Sequence, residues 1–175
     1  MNEFIGKADI AFAHFTKTHI RTPKLTKFLA KVNKGETLVV CLLPLLFFLY
    51  PWKLVLWMLL HVGVTAFFTD RLVLVVKKYV SRKRPLLQVL DSKDPNPDMK
   101  HSFPSAHAAN SMVVVTILVL GYAFHPLLFL VSLFAGLGRL ITLHHFLSDV
   151  SFGWFMGFII AYMSIVLIRT LLTLF

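Results

Sequence analysis

A single cysteine, Cys41, stands in 175 residues. With one thiol the chain can close no disulfide on itself and can build no cysteine-based metal cluster. Charge is sparse as well: Asp, Glu, Lys and Arg together make up 15% of the residues, against roughly a quarter in a soluble domain. Acids are the rarest class, 8 against 18 Lys and Arg, and no cluster of carboxylates offers a divalent metal a home. In place of charge the chain has 57% hydrophobic residues and a mean hydropathy of +0.75. A chain of 19.9 kDa cannot fold that much apolar surface into one aqueous core, and the same composition excludes disorder. It is the composition of an integral membrane protein, in which 17 Phe and 3 Trp suit lipid contact and interfacial anchoring. A net charge of +10 in such a protein points to anionic headgroups or phosphate-bearing substrates and away from nucleic acid. Lys7, Asp9 and Lys17 interrupt the N-terminal segment, so no cleavable signal peptide is expected. There is no internal repeat.

Hydrophobic patterning divides the chain into an interfacial segment, 1–36, and a transmembrane bundle, 37–175. In the first, Phe4, Ile5, Ala8, Phe12 and Phe15 recur at helical spacing. After Pro23, Leu25, Phe28, Leu29 and Val32 alternate with Lys24, Lys27, Lys31 and Lys34. This predicts two short amphipathic helices lying on the bilayer surface. Spans are expected over 37–50 (starting near Asn33, with Pro44 as a kink) and 54–76. Two more follow on either side of the 121–126 break, and a last one over 150–168. The fold class is therefore all-α, a bundle of about five transmembrane helices in a single domain. Antiparallel alternation brings Lys77, the polar loop after it, Ser105, His107 and the stretch from Arg139 to Asp149 to one membrane surface.

Three clusters there carry chemistry. Lys77 and Arg84 sit where the second span leaves the bilayer, and Arg holds phosphate with a forked donor. Taken alone, such residues also snorkel to ordinary headgroups. Ser105, Ala106 and His107 open the third span, where helix amides favour an anion; Ser105 is equally a helix N-cap. His145 and Asp149 are four residues apart, on one face if that stretch is helical. A carboxylate so placed fixes an imidazole tautomer and supports its charge, although a lone pair of this kind is as readily structural. Arg139 lies at the same level. Together they describe metal-free phosphoryl transfer. Cations and a hydroxyl surround the phosphoryl oxygens, one histidine attacks phosphorus, and another protonates the leaving oxygen and then activates water.

Lys77-x6-Arg84-Pro85, then Pro104-Ser105-x-His107, then Arg139-x5-His145-x3-Asp149 resembles the tripartite signature of the type 2 phosphatidic acid phosphatase superfamily. That superfamily comprises membrane lipid phosphatases with vanadium-dependent haloperoxidases as soluble relatives. The resemblance spans Lys77 to Asp149 in family order. It implies that His145 is the nucleophile, Asp149 its orienting partner and His107 the general acid. It makes Lys77, Arg84, Ser105, Ala106 and Arg139 the phosphate cradle, with no metal or cofactor. Ala106 replaces the family's usual Gly, and Gly138 its usual Ser before the third-motif Arg. Neither change removes a catalytic group.

Among bacterial substrates of such enzymes, the small size and basic N-terminal helices resemble the lipid A 1-phosphatase branch. Undecaprenyl pyrophosphate and phosphatidylglycerol phosphate are the alternatives. The partners expected are the lipid phosphate and membrane lipids; oligomeric state is not legible. Three other classes compete. A zinc hydrolase would use His101, His107, His144, His145 and Asp149 but leaves the cations unexplained. An intramembrane serine peptidase would use Ser105, and a lipid-binding scaffold would need no histidine. Elsewhere, Asp70 and Arg71 read as a structural pair within a span, His144 as structural, His101 as a loop residue and Trp154 as an interface anchor.

Sidedness pits two arguments against each other. The site face carries 15 Lys and Arg and the opposite face 2, which by the positive-inside rule faces the cytoplasm. The resemblance implies the bacterial inner membrane with the site on the periplasmic leaflet. Phosphate chemistry and headgroup binding account for many of the charges, so the periplasmic face is the expectation.

Overall fold

The protein is described here from a computed structural model that covers residues 3–32, 43, 44, 46–85 and 101–174. Most of the span expected over 37–50, Cys41 included, and the loop from 86 to 100 lie outside the described residues. The described chain is helical: α1 Glu3–Phe15, α2 Pro23–Val32, α3 Trp52–Val80, α4 Ala106–Thr116, α5 Phe129–Ile141 and α6 Leu147–Leu174. One isolated antiparallel bridge, Lys83 with His101, closes the base of the polar loop.

Among the described residues, two helices are long and apolar enough to cross a bilayer, α3 with 29 residues and α6 over Leu147–Thr173 with 27. At 1.5 Å per residue each reaches about 40 Å, beyond the roughly 30 Å hydrocarbon core. Their outer faces are oily: Phe68 on α3 and Phe155 on α6 are each 63% exposed, and Leu172 is 67% exposed. In water this would be a large unpartnered patch; in a membrane it is the lipid-facing surface. The apolar stretches Ala106–Gly121 and Pro126–Ile141 are shorter, so among the described residues two of the expected spans stand out by length. The break expected over 121–126 is real. Helix α4 loosens into a π turn over Ile117–Gly121, and the chain re-enters helix through a 3-10 turn at Pro126–Leu128 capped by His125.

Helix α4 is the axis of the bundle, packed against α3, α5 and above all α6. Small residues make the last contact possible. Gly153 and Gly157 stand one turn apart on α6; a Cβ on Gly153 would lie 2.6 Å from the Ser105 carbonyl oxygen, and one on Gly157 would collide with the Ala109 carbonyl. This is close backbone approach of the small-xxx-small kind. The core runs along it in three clusters: Val113, Ile117, Ala161 and Ile165; Val73, Ala109 and Met156; Ala108, Leu140 and Val150. Trp154 donates its indole N–H to the Ser132 carbonyl at 3.2 Å and sits against Gly136. It is a helix–helix contact and not the interface anchor its residue type suggested.

Within the span, Asp70 accepts from Asn110 Nδ2 at 2.7 Å, and Arg71 lies over the Phe67 ring. They do not form the pair expected from their adjacency. Neighbours in a helix point about 100° apart, and each finds its partner elsewhere.

The N-terminal segment forms two helices, as its periodicity predicts, but the face turned to the bundle is not purely apolar. Asp9 is 3% and Thr16 1% exposed, while Ile10 and Phe15 face outward. Phe12 packs on the Ala108–Leu140–Val150 cluster. A buried carboxylate requires hydrogen-bond partners, and those partners lie in the site.

Candidate active site

Four helix ends meet at one end of the bundle. Helix α3 brings Lys77 in its last turn and stops at Ser81, which adopts the left-handed conformation (φ 48°) and returns its N–H to the Lys77 carbonyl at 2.9 Å. Lys77 is 1% exposed. Its ammonium is therefore turned into the protein and does not snorkel to headgroups. Arg84 follows, half-buried.

Ser105 caps α4: its Oγ accepts the Ala108 N–H at 3.3 Å, and its own N–H is held by the Asp149 carbonyl at 3.0 Å. Ala106 and His107 form the first helical positions, where backbone amides lack intrahelical acceptors.

The third motif does not run through one helix. Helix α5 ends just past Arg139, Leu143 turns the chain at φ 57°, and α6 starts at Leu147. His145 sits in the turn and Asp149 in the first turn of α6, a position that favours a carboxylate. They approach across the helix entrance, with His145 Nδ1 3.8 Å from Asp149 Oδ2. Asp149 is fully buried, and its Oδ2 accepts the Phe146 N–H at 2.7 Å.

Two imidazoles have their tautomers set by their partners. His145 Nδ1 is 2.7 Å from the Ser102 carbonyl oxygen. A carbonyl only accepts, so Nδ1 carries the hydrogen and Nε2 of the neutral ring keeps its lone pair. His107 Nδ1 is 2.8 Å from Arg139 Nη2. Guanidinium only donates, so the neutral His107 carries its hydrogen on Nε2.

Burial first, then the charges of Arg84 and Lys77, push the pKa of His145 below the usual imidazole value; hydrogen bonding and charge from Asp149 oppose this. His144 is pushed down to about 4 by burial, then by Arg139, Arg84 and His145. The charges of Arg84, Lys77 and Arg139 thus act on the histidine turn. Burial and the neighbouring cations favour the neutral His145 ring, a state in which its Nε2 could attack an anionic phosphoryl group. Among the described residues, no three His, Cys, Asp or Glu side chains gather in a way that could hold a metal ion.

The structure also brings in residues that motif spacing passes over. Arg82 lies inside the six-residue gap of the first motif, its side chain 10% exposed. It donates from Nη1 to Asp149 Oδ1 at 2.7 Å and to Ser148 Oγ at 2.8 Å, and from Nη2 to Asp9 Oδ2 at 2.8 Å. Its guanidinium covers the Phe146 ring at 4.0 Å. Asp9 in turn accepts from the Ser148 N–H and hydroxyl. Ser102, fully buried, orients His145 through its carbonyl. His101 pairs with Lys83 at the loop base, and His61 lies far down α3 against Ser164 and Tyr122.

Residues 50–172 match a family profile described as the PAP2 superfamily. The chain belongs to that superfamily. It is accordingly a membrane lipid phosphatase. All three motifs fall inside the matched segment, and Asp9 falls outside it. Two solved PAP2-type structures are similar. One is a transmembrane PAP2-type phosphatidylglycerolphosphate phosphatase from Bacillus subtilis (TM-score 0.67, 21% identity, covering 97% of this chain and 88% of that one). The other is LpxE from Aquifex aeolicus (TM-score 0.63, 25% identity, covering 88% of this chain and 92% of that one).

Proposed function

We propose that this PAP2 protein removes the 1-phosphate of lipid A by a metal-independent route through a phosphohistidine on His145. The observation that carries the mechanism is the contact of His145 Nδ1 with the Ser102 carbonyl, which leaves Nε2 as the free nucleophile. Nε2 attacks phosphorus, the N–P bond forms and the bond to the leaving lipid oxygen breaks. Asp149 stabilises the imidazolium charge that develops. Lys77, Arg84, Arg139, the Ser105 hydroxyl and the amides of Ala106 and His107 hold the phosphoryl oxygens, concentrating the favourable electrostatics where charge is redistributed in the transition state. Phosphate binding draws the Arg139 fork off His107 Nδ1, which then takes up a proton. His107 gives a proton to the leaving oxygen, then accepts one from water, which breaks the N–P bond and releases inorganic phosphate. The positive field that favours a phosphate monoester repels a divalent cation, so orthovanadate inhibits competitively and EDTA has no effect.

The basic N-terminal helices and the 25% identity to LpxE support lipid A 1-phosphate as the substrate. A thin-layer assay of purified protein against lipid A, phosphatidylglycerol phosphate, undecaprenyl pyrophosphate and phosphatidic acid tests this. Preferential loss of the 1-phosphate of lipid A supports it; preference for another lipid overturns the substrate and keeps the mechanism. Inactivation by EDTA with recovery on adding zinc or magnesium overturns the mechanism.

The protein resides in the bacterial inner membrane with its site on the periplasmic leaflet. Ser81 is exposed at the site end of α3. With Cys41→Ser as background, Ser81→Cys is labelled by an impermeant maleimide in intact spheroplasts; labelling only after lysis puts the site in the cytoplasm.

A further inference from the structure

We propose that Asp9 and Arg82 are positioning residues for the reaction at His145, so that docking of the N-terminal helix α1 sets the geometry of the catalytic pair. The proposal rests on the reading of His145 as nucleophile and Asp149 as its counter-charge, and goes beyond it by adding an element from outside the segment that matches the family.

The connection is short and continuous. Asp149 offers two oxygens. Oδ2 faces the histidine turn, accepting the Phe146 N–H at 2.7 Å and lying 3.8 Å from His145 Nδ1. Oδ1 is held by Arg82 Nη1 at 2.7 Å. The other arm of Arg82 is held by Asp9 at 2.8 Å. Arg82 alone on Asp149 would be a liability: a cation bonded to the carboxylate weakens its support for the imidazolium formed during attack. Asp9 supplies the second negative charge that balances the guanidinium, leaving Asp149 the charge the histidine needs. Asp9 also bonds the backbone N–H and hydroxyl of Ser148, next to Asp149 in the chain, so it fixes both the charge and the backbone of the α6 entrance. A guanidinium fork is the one side chain that can bridge two carboxylates in a plane. Asp9 and Asp149 are 3% and 0% exposed. Burial of two acids around one Arg is costly, and apolar packing of Phe12 on Ala108, Leu140 and Val150 also ties α1 to the bundle. The hydrogen bonds of Asp9 reach Arg82 and Ser148, both of them beside Asp149.

The test compares Asp9→Asn, Arg82→Lys and Arg82→Ala with the wild type in detergent. Asp9→Asn keeps the shape and removes the charge. It should lower kcat about ten- to a hundred-fold, the range for a displaced catalytic group, with KM within about two-fold. Arg82→Lys, which reaches one carboxylate at a time, should be intermediate; if Arg82→Ala folds, millimolar guanidinium should partly restore it and leave the wild type unaffected. Wild-type kcat in Asp9→Asn, or a raised KM at unchanged kcat, overturns the proposal. A substrate-independent readout separates this from the functional reading: amide hydrogen exchange over 142–149. Faster exchange at Phe146 in Asp9→Asn supports the tie even if no lipid phosphate is hydrolysed, which would refute the function instead. Unchanged exchange there overturns the tie.

Discussion

Arg139 Nη2 lies 2.8 Å from His107 Nδ1, so these two candidate site residues hold each other. In the proposed mechanism a phosphoryl group competes with His107 for that guanidinium. In that mechanism, occupation of the cradle and release of His107 for proton transfer are one event.

Replacement of Arg139 should therefore affect both binding and proton transfer. Arg139→Gln should lower kcat/KM about 10²- to 10³-fold, the range for loss of one preorganised oxyanion donor. Arg139→Lys keeps charge without the fork and should fall between. Steady-state kinetics on a lipid phosphate checks this; equal activity of the Lys and Gln variants would deny the fork a role.

Stability should fall on the acid side of neutrality. The unfolded chain protonates His144 near pH 6.5, but the folded chain only near pH 4 because burial, Arg139, Arg84 and His145 oppose the charge. Between these values the unfolded state binds more protons, so stability drops as pH falls from 6.5 to 4 and is level below. His145, also held below its usual value, acts in the same direction. Thermal unfolding in detergent should show Tm falling over this window, and less steeply in His144→Asn. A Tm independent of pH from 7 to 4 would contradict it.

Close packing of α4 on α6 should tolerate no side chain at Gly157. Because the added Cβ would meet backbone, not a movable side chain, Gly157→Ala should destabilise by about 1–3 kcal/mol, as overpacking does. It should also reduce activity by separating Ser105 from Asp149. Gly63→Ala, with open space around it, is the control and should leave both properties near wild type. Tm and kcat measured together check the pair.

The convergence of the candidate site residues was legible in the sequence because the spacing of the three motifs puts them at particular helix ends. Lys77, Arg84, Ser105, His107, Arg139, His145 and Asp149 all arrive at one end of the bundle. What was not legible acts in ways residue identity hides. Ser102 works through a carbonyl that any residue supplies. Arg82 reads as one more charge in a basic run. Asp9 sits on an amphipathic face where an acid reads as turned to headgroups, and only its burial against Ser148 reveals otherwise. The turn carrying His145 depends on a positive φ at Leu143, a residue that gives no hint of it. The Gly153–Gly157 spacing was in plain view, yet its meaning depends on which helix lies across it. Two of the expected spans, α3 and α6, stand out by length among the described residues, while α4 and α5 are apolar but shorter.

The most direct measurement is a search for phosphate on His145 itself. Purified protein is mixed with a lipid phosphate, quenched in alkali, where the N–P bond survives, and digested for mass spectrometry. The account predicts one phosphoryl group on the peptide containing His145, transient during turnover. His145→Ala should lose the adduct together with about 10⁴-fold or more of the activity, as removal of a covalent nucleophile does. An active His145→Ala variant, or a phosphoryl group trapped on any other residue during wild-type turnover, would contradict it.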